Sequence, residues 1–355
     1  MKCSVVILNW NGATMLRHYL PSVIEHTQDS DYEIVVADNG STDGSLQVIE
    51  EVNRSAAKPV RTILFEENYG FAEGYNRALQ QIEAEYCVLL NSDVAVTDGW
   101  LRHLTDYLDA HPDVAAVQPK IRAWQPKFQP AEGAEPVERF EHAGAAGGYM
   151  DYLGYPFCRG RILSYAEEDH GQYDTTQPVF WTTGACMCAR TRIYKECGGL
   201  DADFFAHMEE IDLCWRMNSR GWKLVCVPDS VVYHLGGGAL PYESPRKLFL
   251  NFRNSLLMLY KNLPTSRLCP TLAARCFLDY VAAMQYLLKG QGQNAKAVIQ
   301  ARIAYHKMRS SYRQKRQENL ALAVETFPSI IYRRSIIFDW FIRRRRTYLC
   351  TPRNG

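Results

Sequence analysis

The sequence predicts an α/β fold: an αβ sandwich with a mostly parallel central sheet, followed by a C-terminal helical extension. Three observations carry this. Over the first 120 residues, short continuous apolar runs alternate with segments of helical spacing. Polar clusters stand at the ends of the apolar runs. Near residue 245 the pattern turns helical and more basic.

The elements follow in order. CSVVILNW (3–10) is a continuous apolar run, as expected for a strand buried on both faces in a parallel sheet. MLRHYLPSVIEHT (15–27) has helical spacing. YEIVVADN (32–39) is a second strand and SLQVIEEVNR (45–54) a second helix. RTILFEE (61–67) makes a third strand, FAEGYNRALQQIEA (71–84) a helix, and YCVLLNSD (86–93) a fourth strand. A βαβα series implies an open parallel sheet with helices on both faces. Residues 124–178, rich in Pro, Gly and aromatics, read as loops and short strands on the acceptor side. EEIDLCWRMNSRGW (209–222) reads as a helix ending at Gly221, and KLVCVPDSVVYHLGG (223–237) as a strand pair ending in His234.

Ligands in open α/β sheets bind beyond the carboxyl ends of the strands. Asn9-Trp10-Asn11-Gly12, Asp38-Asn39-Gly40-Ser41 and Asn91-Ser92-Asp93 fall at those ends, which points to one shared site. No G-x-G-x-x-G follows the first strand, and GAAGGYMDYLG (144–154) opens no evident helix. No G-x-x-x-x-G-K-[ST] occurs either. Nucleotide phosphates would then need a metal held on a carboxylate.

Composition is ordinary for a globular protein, with 47% hydrophobic and 22% charged residues. A net charge of +1 gives no reason to expect a nucleic-acid partner. Eleven cysteines without a secretory leader suggest reduced thiols and a cytoplasmic location. Cys186, Cys188 and Cys197 lack zinc-site spacing. No apolar run reaches the length of a membrane span.

Seven segments in order resemble one family: VVILNWNG, IVVADNGSTDGS, ENYGFAEGYNRAL, VLLNSD, TGACMCARTRIYKECGGLDADFF, MEEIDLCWR and VVYHLGG. Together they are similar to the family-2 inverting glycosyltransferases, and most to the bacterial rhamnosyltransferase-like enzymes of surface polysaccharide synthesis. The resemblance implies a GT-A-type fold over residues 1–240, with 241–355 as a basic amphipathic extension. It also implies a role for each matched position. Asp38 would accept a hydrogen bond from the imide of a uracil or thymine base, and Asn9 would line the same pocket. Asn68 and Gly70 would precede a helix against the nucleotide. Asp93 matches the last acid of the Asp-x-Asp metal motif and would hold Mg²⁺ or Mn²⁺. Asn91 stands where many relatives carry Asp; its amide would serve as a neutral metal ligand or contact the ribose. His234 would add an imidazole to the metal. In Glu209-Glu210-x-Asp212 the second position is the family's catalytic base, here Glu210.

Each position also has a plainer reading. Asp38 can start an Asx-turn and Asp93 can cap a turn. Gly70 and Gly74 can simply permit close backbone approach. His234 can be satisfied within a loop. Acids in a first helical turn complement the helix dipole. On a helix, residues 209 and 212 share a side while 210 points about 100° away, so the three carboxylates are not equivalent and only one need reach the acceptor; the resemblance makes it Glu210. Glu209, Asp212 and Arg216 are then acceptor-side or supporting residues, with Trp215 and Arg216 packing and pairing beneath the helix.

The resemblance implies a dTDP- or UDP-sugar donor and a saccharide acceptor, expected to be lipid-linked. In the extension, Leu248, Phe249, Phe252, Leu256 and Leu259 form an apolar stripe, expected to pack on the catalytic domain or on a second subunit of a homo-oligomer. LAARCFLDYVAAMQYLLKG (272–290) is another apolar helix, interrupted by Arg275 and Asp279. IYRRSIIFDWFIRRRR (331–346) sets six arginines against one aspartate, which suits peripheral contact with an anionic membrane surface. Two competing functions fit the residues less well. A nucleotidyltransferase needs a glycine-rich, basic loop after the first strand, and NWNGATMLRHYL lacks one. An inactive scaffold is suggested only by Asn91.

Overall fold

β1 (Cys3–Asn9) lies inside the sheet and pairs in parallel with β2 (Tyr32–Asn39) and β4 (Tyr86–Asn91). β2 pairs in parallel with β3 (Val60–Phe65). α1 (Ala13–Glu25), α2 (Ser45–Ser55) and α3 (Gly70–Gln80) make the crossovers. The structure, a computed structural model, describes residues 1–56, 58–124, 138–236 and 244–350. The expected division between 240 and 241, and part of the irregular 124–178 stretch, fall outside the described residues.

The apolar runs are continuous because both faces of the sheet are covered. Val6, Val35, Ala37 and Leu89 face a core shared with α3. Val5, Ile7, Ile34, Val36, Val88 and Leu90 face the opposite core with α1 and α4 (Trp100–Ala110).

After β4 the order departs from a simple parallel series. The strands run β5 (Val94–Val96), β6 (Val114–Ala123), β7 (Gly148–Met150), β8 (Pro156–Cys158), β9 (Arg161–Ile162), β10 (Tyr165–Ala166), β11 (Gln177–Pro178), β12 (Cys186–Arg190) and β13 (Lys223–His234). α5 (Thr191–Glu196) and α6 (Glu209–Ser219) separate the last two. The main sheet has the order β11-β13-β6-β12-β4-β1-β2-β3. β12 is antiparallel to both neighbours, so the sheet is mixed, with a parallel half carrying the first three polar strand ends. The expected strand pair over 223–237 is one long strand, β13, with a register shift between Val227 and Val231. β7 to β10 form a small antiparallel sheet of their own. The glycines there serve packing: a Cβ on Gly148 would fall 2.1 Å from the Trp181 ring.

Five helices follow: α7 (Pro245–Asn262), α8 (Thr265–Leu288), α9 (Gly292–Met308), α10 (Arg313–Leu322) and α11 (Ile336–Phe341). Leu256, Leu257, Met258 and Leu259 of α7 join the same core as Ile211, Leu213 and Trp215 of α6. Ile336 and Trp340 of the basic terminal segment enter it too. In that segment Asp339 is buried, accepts from the Tyr332 hydroxyl at 2.5 Å, and takes Arg343 and Arg345 as ion partners. Among the described residues, no helix is long and apolar enough to cross a membrane.

Candidate active site

The parallel register brings the strand-end residues together. Asn9 is level with Asp38, and Leu8 with Asn91. Asp38 and Asn9 are buried. The Asn9 amide donates to Asp38 Oδ2 at 2.9 Å, and Asp38 Oδ1 accepts from the Ser41 N–H at 2.9 Å. Asp38 therefore braces the turn after β2, reaching three residues on rather than the two of an Asx-turn, while bonding Asn9 at the same edge. Asn9 Oδ1 is a buried acceptor without a protein partner. Buried polar atoms are usually satisfied, so an orphan at a strand end is a natural place for a ligand donor.

Asn68 acts in the loop between β3 and α3. Its Oδ1 accepts from the Asn39 amide at 3.0 Å and from the Gly70 N–H at 2.8 Å. Gly70 has φ +78°, and a Cβ there would lie 2.5 Å from the Phe205 ring. Gly74 lets α3 close onto Leu8 and Asn39. Asn68 and both glycines thus set where α3 begins and how near it comes to the β1 and β2 ends.

A second group forms where β5 pairs with β13. His234 is level with Val94, which sets its ring beside Asp93. His234 Nε2 lies 3.1 Å from Asp93 Oδ1, and the Asn91 carboxamide stands 3.5 Å from the same nitrogen. His234 Nδ1 lies 3.0 Å from Glu141 Oε2. Burial would lower the His234 pKa, but Glu141 and Asp93 outweigh it and push it up to about 10. Burial would raise the Asp93 carboxyl, yet His234 holds it below its ordinary range. A proton clamped between two carboxylates occupies the position a cation would neutralise. A carboxylate, an imidazole and an amide converge, and the imidazole is oriented by a second carboxylate, as metal-bound histidines usually are. These donors fit a divalent ion. Among the described residues no cage of three such acidic, His or Cys groups is preformed, so an ion held here would need phosphate oxygens and water to complete its coordination.

Glu209, Glu210 and Asp212 open α6 and differ sharply. Asp212 is fully buried and committed: Arg216 Nε donates to it at 3.0 Å, Asn262 at 2.7 Å, and Lys261 pairs with it at 2.7 Å. Arg216 also donates to the carbonyls of Cys197 and Gly199. Both residues support the site rather than face it. Glu209 and Glu210 each keep a buried carboxylate oxygen without a protein partner. Burial pushes Glu210 up to about 7. Burial and the neighbouring Glu210 push Glu209 well above the usual carboxylate range. Both shifts disfavour the charged form, and desolvation is the main cause at each. Glu210 Cβ sits by Gly184, and the adjoining Ala185 carbonyl accepts from the Asn91 N–H at 3.0 Å. The 183–185 turn thus bridges the candidate base and the candidate metal group.

The loop before α6 is strained. Phe205, His207 and Met208 have φ of 64°, 70° and 72°. Such non-glycine conformations cost about 1–3 kcal/mol each and collect at functional sites. Asn254 of α7, wholly buried, holds the loop by donating to the carbonyls of Phe204, Ala206 and His207 at 3.0, 2.9 and 2.8 Å. The Phe205 carbonyl accepts from the Phe71 and Ala72 N–H groups at the start of α3. His207 Nε2 is buried without a protein partner, and burial followed by the nearby Lys247 charge lowers the ring to about 4, so it is neutral. Sequence reasoning missed Glu141, His207 and Asn254. The partners of Glu141 and Asn254 lie far away along the chain, and no local pattern marks any of the three.

Residues 4–163 match the family model described as glycosyl transferase family 2. The chain is a glycosyltransferase whose residues 4–163 are similar to family 2. It is similar to the N-acetylglucosaminyl-diphospho-decaprenol L-rhamnosyltransferase of Mycobacterium tuberculosis, 27% identical over 241 residues, covering 65% of this chain and 75% of that one. Among solved structures, the glycosyltransferase resembles S. aureus TarS 1–349 in complex with UDP-GlcNAc, with a TM-score of 0.54 at 19% identity over 90% and 89% of the two chains. It also resembles the mannosyltransferase PcManGT from Pyrobaculum calidifontis in complex with GDP-Man and Mn²⁺, with a TM-score of 0.52 at 16% identity over 90% and 84%. At such identities the structures speak for the fold alone. This glycosyltransferase therefore shares the GT-A fold with enzymes that have been crystallised with nucleotide sugars and Mn²⁺.

Proposed function

We propose that the glycosyltransferase moves a sugar, rhamnose by preference, from a dTDP- or UDP-sugar to a hydroxyl of a lipid-linked saccharide, with inversion at the anomeric carbon, in cell-envelope polysaccharide synthesis. The observation that carries this is Glu210: a carboxylate with an unpartnered buried oxygen, raised to about 7, across one turn from Asp93 and His234. The likeness to a rhamnosyltransferase whose name specifies a diphospho-decaprenol acceptor supports the choice of sugar and acceptor.

The residues divide the work. Asp38 accepts from the imide N–H of the base at the β2 end, Asn9 lines the same pocket, and Asn68 sets the α3 start beside them. Asp93 and His234 would hold Mg²⁺ or Mn²⁺, with Asn91 beside them, and the ion would supply positive charge for the departing diphosphate. Glu141 fixes the His234 ring. Glu210 takes the proton from the acceptor hydroxyl as its oxygen bonds to the anomeric carbon. The bond from that carbon to the diphosphate breaks on the opposite face, and the nucleoside diphosphate leaves. One displacement needs no enzyme nucleophile. An inactive scaffold fits less well, because it gives no reason for two glutamates that each keep a buried oxygen without a protein partner.

The test is nucleoside diphosphate release from a panel of sugar nucleotides with Mn²⁺ and a lipid-linked acceptor. Glu210→Gln is expected to lower turnover by about 10²–10⁴-fold while donor binding persists. Normal turnover by that variant would sink the assignment.

A further inference from the structure

α8 is inverted. Its charged residues Arg275 and Asp279 are buried, at 2% and 0% exposure, while Phe277, Met284 and Leu288 stand 70%, 61% and 83% exposed. Asp279 pairs with Arg302 of α9 at 2.6 Å, and Arg275 donates to Ser255 of α7 at 2.9 Å and lies 4.2 Å from the Tyr155 ring centroid. Phe277, Val281, Met284 and Leu288 recur at helical spacing on one face, flanked by Tyr280 and Leu287, also exposed. α9 packs on α8 and adds exposed Ile299 and Ile303. An apolar stripe of this length on the outside of a water-soluble surface marks a contact site.

The charge pattern says what covers it. Between residues 265 and 311 the sole acidic residue is Asp279, which is buried, whereas Arg267, Lys289, Lys296, Lys307 and Arg309 are exposed. The face is therefore apolar with a purely cationic surround. A second copy seated two-fold on it would set cation against cation, with no carboxylate to offset the repulsion. An anionic lipid surface satisfies both features: acyl chains take the side chains and phosphate head groups take the lysines and arginines.

We propose that the outer face of α8, with the exposed isoleucines and lysines of α9, docks the enzyme on an anionic bilayer. This goes beyond the catalytic reading, and it moves the membrane contact away from the terminal arginine segment. Two of that segment's arginines are paired to Asp339, and its helix spans only Ile336–Phe341.

The test uses the full chain with vesicles of phosphatidylcholine alone or mixed with phosphatidylglycerol, read by co-sedimentation. Binding is expected only to the anionic vesicles and is expected to weaken as salt rises. The triple variant Phe277→Glu, Met284→Glu, Leu288→Glu changes exposed positions, and its binding is expected to fall by roughly tenfold or more, given the burial energy of three such side chains. Lys289→Glu with Lys296→Glu is expected to weaken the salt-sensitive part and serves as a second, independent variant. Binding of UDP with Mn²⁺, measured in parallel, reports on the catalytic site, so its failure and a failure of docking are told apart. The proposal is overturned if the wild type ignores anionic vesicles, if the triple variant binds them as well as wild type, or if sedimentation velocity shows a dimer that the triple variant dissolves.

Discussion

At the residue scale, the site depends on carboxylates whose surroundings differ within one turn of helix. Asp212 is neutralised by Arg216 and Lys261, whereas Glu210 is desolvated without a counter-charge. Below its raised pKa Glu210 holds a proton and cannot accept another. The acid limb of the kcat/KM profile is therefore expected near pH 7, with activity rising as pH increases through it, well above the ordinary range of a glutamate. A profile already flat from pH 5 upward would contradict the assignment. Glu141 acts one step back, through the His234 ring. Glu141→Gln is expected to raise the Mn²⁺ concentration needed for half-maximal activity by about 10–100-fold, with little change in turnover at saturating metal. A metal titration decides it.

At the element scale, α7 serves the site although it follows β13 and the whole catalytic motif set. Asn254 holds the strained 204–208 loop, and Lys261 bridges Asp201 and Asp212 on either side of it. Lys261 and Lys315 outweigh burial and bring Asp201 down to about 2. Asn254→Ala removes a donor from the Phe204, Ala206 and His207 carbonyls, of which Phe204 keeps Arg253 and the Ala206 N–H. Each unsatisfied buried group costs about 1–3 kcal/mol, so a lower melting temperature is expected. Because the loop positions Glu210, turnover is expected to fall further than donor affinity. Thermal melting, together with kcat and KM for the donor, distinguishes the two effects. Loss of stability with unchanged kcat would make Asn254 a packing residue only.

At the scale of the whole molecule, one sheet edge gathers the nucleotide side and one helix terminus supplies the base. A ligand seen by the folded state alone stabilises by about 2.7 kcal/mol at a hundredfold excess over its Kd. UDP or dTDP with Mn²⁺ is therefore expected to raise the melting temperature, GDP less so, and Asp93→Asn is expected to remove the metal-dependent part. Equal shifts by all three nucleotides would refute the proposed reading of the base at Asn9 and Asp38.

The sequence by itself determined the parallel half of the sheet. Runs such as VVIL and EIVVA must be buried on both faces, and polar residues that interrupt such runs must fall at strand ends. That is enough to assemble Asn9, Asp38, Asn91 and Asp93 on one edge. It also determined the helix at 209, because its spacing separates Glu210 from Asp212. Only the tertiary structure decided what depends on long-range pairing. The antiparallel β12 and the bulged β13 come from contacts between distant strands. The Asp93–His234–Glu141 line joins positions about 140 and 93 residues apart along the chain. α8 shows the difference most sharply. From spacing alone, Arg275 and Asp279 look like interruptions of an apolar face. In the fold they find Arg302, Ser255 and Tyr155, and a paired charge can be buried while unpaired hydrocarbon is left outside.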